Sequence, residues 1–229
     1  MTAARPPTGV AVDRGVRPRE LESLLRAYAS DFGASFLLRN LLAGAGFRLP
    51  AAANTLEYTF TKRLALAAIE GYVGGGQRVL SVGFGDGFLE VNLAIRGDRV
   101  WGLEVDPGLV RVARRLARDA GLGARCTFRF HRGRRYPFRN ASFDTVLFSH
   151  SLHRIKDARG ALRECHRVLR PGGGVLVLED AAEMRRLAGL VDPRRFAVAE
   201  RRRLFSGRTH PRGLVQPVSL LRLEKVGKG

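Results

Sequence analysis

Apolar residues recur along the chain with two different patterns. In residues 18–73 they recur at spacings of three and four, as at Leu21 and Leu24, which predicts helices. Residues 1–17 are rich in Pro, Gly and Ala and lack this spacing, so we expect a loose tail there. Residues 74–229 follow a strand-and-helix pattern. The sequence therefore predicts a tail, an N-terminal helical cap and a core.

Within the core, short apolar runs typical of buried strands alternate with helical stretches. We predict strands at 78–82, 99–105, 126–130, 145–149, 174–179, 196–205 and 218–226. We predict helices at 89–95, 107–120, 158–169 and 181–190. Strands that alternate with helices form a parallel sheet covered on both faces, whereas the last two strands, with no helix between them, should pair antiparallel. The predicted fold class is α/β, with a doubly wound, mostly parallel sheet.

A glycine-rich loop separates the first predicted strand from the first predicted core helix. It reads Ser-Val-Gly-Phe-Gly-Asp-Gly at 81–87. Glycines permit positive φ angles and a close approach of the backbone to a ligand, and the following helix start offers free N–H groups. A dinucleotide fingerprint would need a glycine where Phe88 stands, and a Walker loop would need Gly-Lys-Ser/Thr. The loop is therefore not typical of sites for NAD or nucleoside triphosphates.

An acidic residue ends the second predicted strand. Glu104 follows Gly87 by seventeen residues. A carboxylate at that position suits hydrogen bonding to two ribose hydroxyls. The alternative is a role beside the helix start at Pro107, although Asp106 is better placed to cap that helix.

The chain is strongly basic, which favours an anionic partner or substrate. It has 40 Lys and Arg residues against 21 Asp and Glu residues, a formal net charge of +19. Residues 109–140 contain ten arginines and one acid, Asp119. The densest clusters, at 132–135 and 201–203, would make RNA a possible partner if they formed one continuous patch. The alternative is a general enrichment in arginine, with helix arginines forming a solvated outer face.

Other classes of protein are disfavoured by what the sequence lacks. No run of eighteen apolar residues is present, so no membrane-spanning helix is expected. The first residues lack the apolar segment of a secretory signal. The two cysteines, Cys126 and Cys165, fit neither a disulfide framework nor a metal cluster. We therefore expect a cytoplasmic protein without a bound metal.

Four ordered segments after the glycine loop carry a family resemblance. They read Tyr-Pro-Phe at 136–138, Ser-Phe-Asp at 142–144, Leu-His at 152–153 and Arg-Pro-Gly-Gly at 170–173. With the glycine loop and Glu104, they resemble the class I S-adenosylmethionine-dependent methyltransferases over about residues 78–180.

The resemblance implies a seven-stranded sheet with an antiparallel last strand, S-adenosylmethionine as cofactor and S-adenosylhomocysteine as product. The glycine loop would face the methionine part, Glu104 the ribose and Val105 the adenine. The implied cofactor-binding residues are Gly83, Phe84, Gly85, Asp86, Gly87, Glu104, Val105, Arg132, Gly133 and Ser149. His150 and His153 follow the fourth strand and are the candidate general bases, because histidine titrates in the required range.

Two positions depart from the family pattern, which usually has an acid at the position of Ser81 and another acid in the segment 131–135. Arginine cannot replace the second acid as a hydrogen-bond acceptor, so weaker cofactor binding is expected. The sequence predicts a methyltransferase that acts by in-line displacement on a small or anionic acceptor. An RNA methyltransferase of the same fold and a non-catalytic protein that binds the cofactor or RNA are the alternatives.

Overall fold

The computed structural model describes residues 65–69, 71–205 and 218–227. The predicted tail and nearly all of the predicted helical cap therefore lie outside the described residues. Residues 65–69 are helical, and Ala65 and Ile69 are buried against the core that follows.

Seven strands form one sheet in the order β3-β2-β1-β4-β5-β7-β6. Their bounds are β1 Arg78–Val82, β2 Arg99–Glu104, β3 Cys126–Phe130, β4 Phe143–Ser149, β5 Leu169–Asp180, β6 Phe196–Phe205 and β7 Val218–Lys225. The first five strands pair in parallel, while β7 lies antiparallel between β5 and β6. The predicted fold class and the antiparallel end of the sheet are confirmed.

Within the described residues, four α-helices that follow β1 cover the two faces of this sheet together with the 65–69 helix. They are α1 Phe88–Ile95, α2 Pro107–Asp119, α3 Ala158–Val168 and α4 Ala181–Ala188. α1 and α2 share one apolar cluster with the 65–69 helix, whereas α3 and α4 share a second cluster on the opposite face. The core is therefore split by the sheet, as expected for a doubly wound fold.

Strand and helix ends differ from the predicted ones by a few residues. β5 begins at Leu169 rather than at 174, because Leu169 already pairs with Phe143 before an irregularity in the ladder. α2 begins as expected, since the Asp106 carboxylate accepts hydrogen bonds from the N–H groups of Gly108 and Leu109 at 2.6 and 3.3 Å. Asp106 therefore caps α2 and leaves Glu104 for another role.

The two densest arginine clusters lie at opposite edges of the sheet. The cluster at 132–135 follows β3, whereas the cluster at 201–203 lies on β6, and these are the two outermost strands. Six strand spacings separate them, roughly 29 Å. The two clusters therefore do not join into one patch across the sheet, because the strand order and not the chain order sets their distance.

The order of the strands reverses at β1, which places the binding crevice. The chain passes from β1 outward to β2 and β3 and then returns to β4 on the other side of β1. At such a switch point the loops after β1 and β4 diverge and leave a crevice at the carboxyl edge of the sheet. No helix of the described residues is long and apolar enough to cross a membrane.

The Tyr-Pro-Phe segment is held against α3 by Arg167. The guanidinium of Arg167 donates five hydrogen bonds. Two go to the carboxylate of Glu164, one each to the carbonyls of Tyr136 and Phe138, and one to the side chain of Asn140. The hydrogen bond from Arg167 also lowers the pKa of the Glu164 carboxyl below its ordinary value.

We expect Arg167→Met to lower the free energy of unfolding by about 2–3 kcal/mol, because two carbonyls lose their Arg167 donor and the Glu164 carboxylate keeps only the N–H of Tyr136. Arg170→Met is the matched control, since Arg170 forms a more exposed pair with Asp144 at 2.8 Å. The control should lose less than about 1 kcal/mol. Urea unfolding followed by circular dichroism measures both. Equal losses would contradict this role of Arg167.

Candidate functional site

The glycine loop between β1 and α1 turns sharply at three left-handed positions. Gly83, Gly85 and Gly87 have φ angles of 71°, 66° and 82°. A Cβ atom on Gly83 would lie 2.5 Å from Cβ of Ser151, and one on Gly87 would lie 2.6 Å from Cβ of Ala113. A Cβ atom on Gly85 would meet no atom within 4 Å. Gly83 and Gly87 are therefore packing positions, and Gly85 is the glycine that faces open space.

Phe84 does not face the crevice. Its ring is buried and packs against the ring of Phe128, with centroids 4.7 Å apart. A Cβ atom on Gly102 would overlap the Phe84 ring, so the ring fills the space that a side chain on β2 would take. The Phe84 side chain is therefore part of the core, and its backbone is the part that remains in the glycine loop for a cofactor contact.

The Glu104 carboxylate joins the tips of β1 and β2. Its Oε2 accepts a hydrogen bond from the Gly85 N–H at 3.0 Å. Its Oε1 accepts from the N–H groups of Val105 and Asp106 at 2.7 and 3.2 Å. The residue is 7% exposed, and no ion pair involves it within the described part of the chain. A carboxylate has about four lone-pair positions, so one on Oε2 is left for a ligand hydroxyl.

The acid missing at Ser81 is replaced by an acid from α1. The Ser81 hydroxyl donates to Oε1 of Glu90 at 2.6 Å, and both residues are buried. A buried carboxylate is therefore in hydrogen-bond contact with Ser81, two residues before Gly83. Asp86 accepts from the N–H of Phe88 at 3.2 Å and so stabilises the first turn of α1.

Apolar side chains are exposed where β2 and β3 end. Val105 is 57% exposed and Phe130 is 48% exposed. The backbone N–H of His131 donates to the Glu104 carbonyl at 2.8 Å, which places the segment after β3 beside the tip of β2. Arg132 and Gly133 are exposed, and the Arg132 guanidinium lies 5.2 Å from the centre of the Phe130 ring.

The end of β4 closes the crevice on the other side of β1. The Ser151 hydroxyl donates to the carbonyl of Val82 at 2.6 Å and fixes the loop after β4 against the glycine loop. The Ser149 hydroxyl oxygen is buried and has no hydrogen-bond partner within the described residues. His150 has a φ angle of 51°, which is uncommon for a residue other than glycine and redirects the chain at this point.

A buried carboxylate holds the second candidate histidine. Glu179, near the end of β5, is 0% exposed, and its Oε2 lies 2.8 Å from Nδ1 of His153 and 3.9 Å from Nδ1 of His150. Burial raises the pKa of the Glu179 carboxyl above its ordinary value, while the hydrogen bond from His153 opposes this rise. Nε2 of His153 accepts from Nε of Arg154 at 3.3 Å. His153 and Glu179 thus form an imidazole–carboxylate pair.

Sequence reasoning missed Glu179 and Ser151 as parts of the site. Glu179 could have been found from the sequence, because it is an acid at the carboxyl end of an otherwise apolar strand, Val-Leu-Val-Leu-Glu.

Neither cysteine belongs to the candidate site. Burial raises the pKa of the Cys126 thiol to about 12 and also raises the pKa of the Cys165 thiol, so neither forms a thiolate readily. No three metal-ligating side chains come together in the described ranges.

Comparison with known proteins finds similarity to methyltransferases over part of the chain. Residues 80–177 match the family model for a methyltransferase domain. A demethylmenaquinone methyltransferase of Tropheryma whipplei is 34% identical over 108 residues, which cover 47% of this chain and 43% of that protein. An O-methyltransferase of Aspergillus sclerotiorum is 28% identical over 165 residues, which cover 68% of this chain and 62% of that protein. The chain therefore spans less than two thirds of the length of either relative.

Solved structures share the fold. A SAM-dependent methyltransferase from Aquifex aeolicus superposes with a TM-score of 0.59 at 14% identity, and the match covers 79% of this chain and 100% of that chain. At that identity the likeness concerns the arrangement of the strands and helices.

We expect neutral His153 to carry its proton on Nδ1, because Nδ1 donates to Glu179 and Nε2 accepts from Arg154. Long-range ¹H–¹⁵N correlation spectra of the imidazole rings distinguish the two tautomers. Glu179→Ala should change the His153 signals and leave those of His166, which packs on Phe196, unchanged. A wild-type His153 with its proton on Nε2 would contradict the pair.

Proposed function

We propose that this chain, of which residues 80–177 match the family model for a methyltransferase domain, is a class I S-adenosylmethionine-dependent methyltransferase that transfers a methyl group to a small-molecule acceptor. The observation that carries the proposal is the open space at Gly85 beside the buried Glu104 carboxylate, which is bound by backbone N–H groups instead of by a cation. The match of these residues to the family model supports the resemblance found in the motifs.

The residues present fit the cofactor. Glu104 keeps a lone pair on Oε2 for a ribose hydroxyl, and the exposed Val105 side chain offers apolar contact for the adenine. The Ser149 hydroxyl, buried and without a partner among the described residues, is a polar group that a ligand in the crevice would satisfy. When bound, S-adenosylmethionine supplies an electrophilic methyl group whose carbon bonds to a lone pair of the acceptor, while the C–S electron pair stays with sulfur and S-adenosylhomocysteine leaves.

The imidazole–carboxylate pair would take the proton that the acceptor loses. Nε2 of His153 becomes the base once it gives up the 3.3 Å hydrogen bond from Arg154. The imidazolium that forms is stabilised by the Glu179 carboxylate, 2.8 Å from Nδ1. An acceptor with an acidic hydroxyl or C–H group, such as a phenol or a quinol, suits this arrangement. The relatives named for a demethylmenaquinone and for O-methylation support an acceptor of this kind.

The contact between Ser81 and Glu90 weakens the case for a non-catalytic protein. That alternative relied on the loss of acids at Ser81 and in the segment 131–135. Glu90 brings a carboxylate to the first of these positions, and the segment 131–135 still lacks one.

We expect Gly85→Ala to weaken the binding of S-adenosylhomocysteine at least tenfold, because the methyl group enters the space in which the cofactor would lie. Gly121→Ala is the matched control, since Gly121 has a φ angle of 70°, no atom within 4 Å of the place that a methyl group would take, and a position away from the crevice. Both variants should lose a similar amount of stability, about 1–2 kcal/mol, through left-handed strain. Isothermal calorimetry measures the affinities.

Equal affinities of the two glycine variants for S-adenosylhomocysteine would contradict the assignment of the crevice. Wild-type protein that does not bind the ligand at all would overturn the proposed function.

We expect the wild-type protein to transfer labelled methyl groups to one or more members of a panel of phenols and quinols. His153→Ala should slow this transfer about a hundredfold or more, because the general base is lost. Glu179→Gln should slow it less, since the ring stays in place while its positive charge loses a partner. His166→Ala is the control histidine and should keep the wild-type rate. Binding of the cofactor without transfer to any acceptor would favour the non-catalytic alternative.

A further inference from the structure

One face of the molecule carries exposed arginines that form no ion pair within the described residues. On α2, Arg111, Arg114, Arg115 and Arg118 are exposed and lie within about 100° of one another around the helix axis. The inner face of the same helix is buried through Val110, Ala113 and Ala117. Together with Phe130 and Arg132 at the end of β3, the four helix arginines define what we call the α2–β3 surface.

The parts of this surface are contiguous. The Arg114 guanidinium Nε donates to the Phe128 carbonyl at 2.9 Å. That carbonyl lies on β3, an edge strand, so the helix arginines reach the outer edge of the sheet. Phe130 lies two residues further along β3 and therefore points to the same side of the sheet as Phe128. The Arg132 guanidinium lies 5.2 Å from the centre of the Phe130 ring.

The arginines of this surface form no ion pair within the described residues. No arginine of the segment 109–140 is paired with an acid there, and Asp119 is the only acid of that segment. Seven arginines elsewhere in the described residues do form ion pairs: Arg163, Arg167, Arg170, Arg186, Arg195, Arg202 and Arg222. Arg194, Arg201 and Arg203, on or just before β6, form none among these residues, so the α2–β3 surface is distinguished by four exposed arginines on one helix face near an exposed aromatic ring.

We propose that the α2–β3 surface binds single-stranded RNA. The guanidinium groups of Arg111, Arg115 and Arg118 match phosphate oxygens in charge and geometry. Phe130, 48% exposed, offers a ring on which an unstacked base can lie beside the Arg132 guanidinium. A base in a duplex is not available for such stacking, whereas RNA presents unstacked bases in loops and ends.

A membrane surface fits this face less well. Binding at a lipid interface needs a stripe of apolar side chains beside the basic ones. Among the described residues, Phe130 is the one large apolar side chain exposed on this surface, and the exposed Val105 lies next to it at the end of β2. These two side chains do not form a stripe. The inference stands on charge and exposure and does not require methyl transfer.

The test is fluorescence anisotropy of a labelled single-stranded RNA oligonucleotide, titrated with the full chain at several salt concentrations. The variant is R111E/R115E/R118E, and the matched control is R194E/R201E/R203E, with the same net charge, in which Arg201 and Arg203 lie on β6 at the opposite edge of the sheet. We expect the α2 variant to bind about a hundredfold more weakly at low salt and its log–log salt slope to fall by about 2. The control should stay within about threefold of the wild type.

A second variant tests the stacking position. Phe130→Ala should weaken RNA binding on the order of tenfold while leaving the salt slope unchanged, because a ring carries no charge. Three arms accompany the RNA titrations: a duplex RNA, a single-stranded DNA of the same sequence, and vesicles of phosphatidylglycerol and phosphatidylcholine.

Equal losses in the two triple variants would overturn the proposal, because net charge alone would then explain binding. Equal or tighter binding of the duplex would overturn the stacking role of Phe130. Binding to the vesicles that depends on the α2 arginines, without saturable RNA binding, would assign the surface to a membrane instead. Tighter binding of DNA than of RNA would assign it to another nucleic acid.

Discussion

The hydrogen bonds from three backbone N–H groups to the Glu104 carboxylate set the shape of the crevice. They tie the glycine loop after β1 to the tip of β2, so that the open side of Gly85 faces the same space as the remaining lone pair on Oε2. Charge-assisted bonds of this kind are stronger than neutral ones, and they hold the carboxylate without a cation that a ligand would have to displace. The position of the site follows from this one contact and from the reversal of strand order at β1.

Buried carboxylates recur around the crevice, and each has a specific partner. Glu90 accepts from Ser81 below the glycine loop, and Glu179 holds His153 at the end of β5. Burying a carboxylate is costly unless it is hydrogen-bonded. Each of these carboxylates therefore holds the side chain that donates to it in a fixed position. Removing either acid would therefore disturb the position of a neighbouring side chain as well as the local field.

The sequence was sufficient for the sheet, the glycine loop and the Asp106 cap, because these depend on local patterns of apolar residues and on turn chemistry. It was insufficient where contacts join distant segments. The Phe84 ring turns into the core because β2 has no side chain at Gly102, and Glu179 meets His153 across 26 residues. The two arginine clusters lie at opposite edges because the strand order differs from the chain order.

α2 connects the crevice with the arginine-bearing face. Asp106 caps the helix two residues after Glu104, and Ala113 packs directly against the backbone of Gly87, where a Cβ atom would lie 2.6 Å from its own Cβ. The same helix carries the exposed arginines on its opposite side. A polyanion bound to those arginines would therefore contact the exposed side of α2, and the buried side of the same helix is in van der Waals contact with the glycine loop.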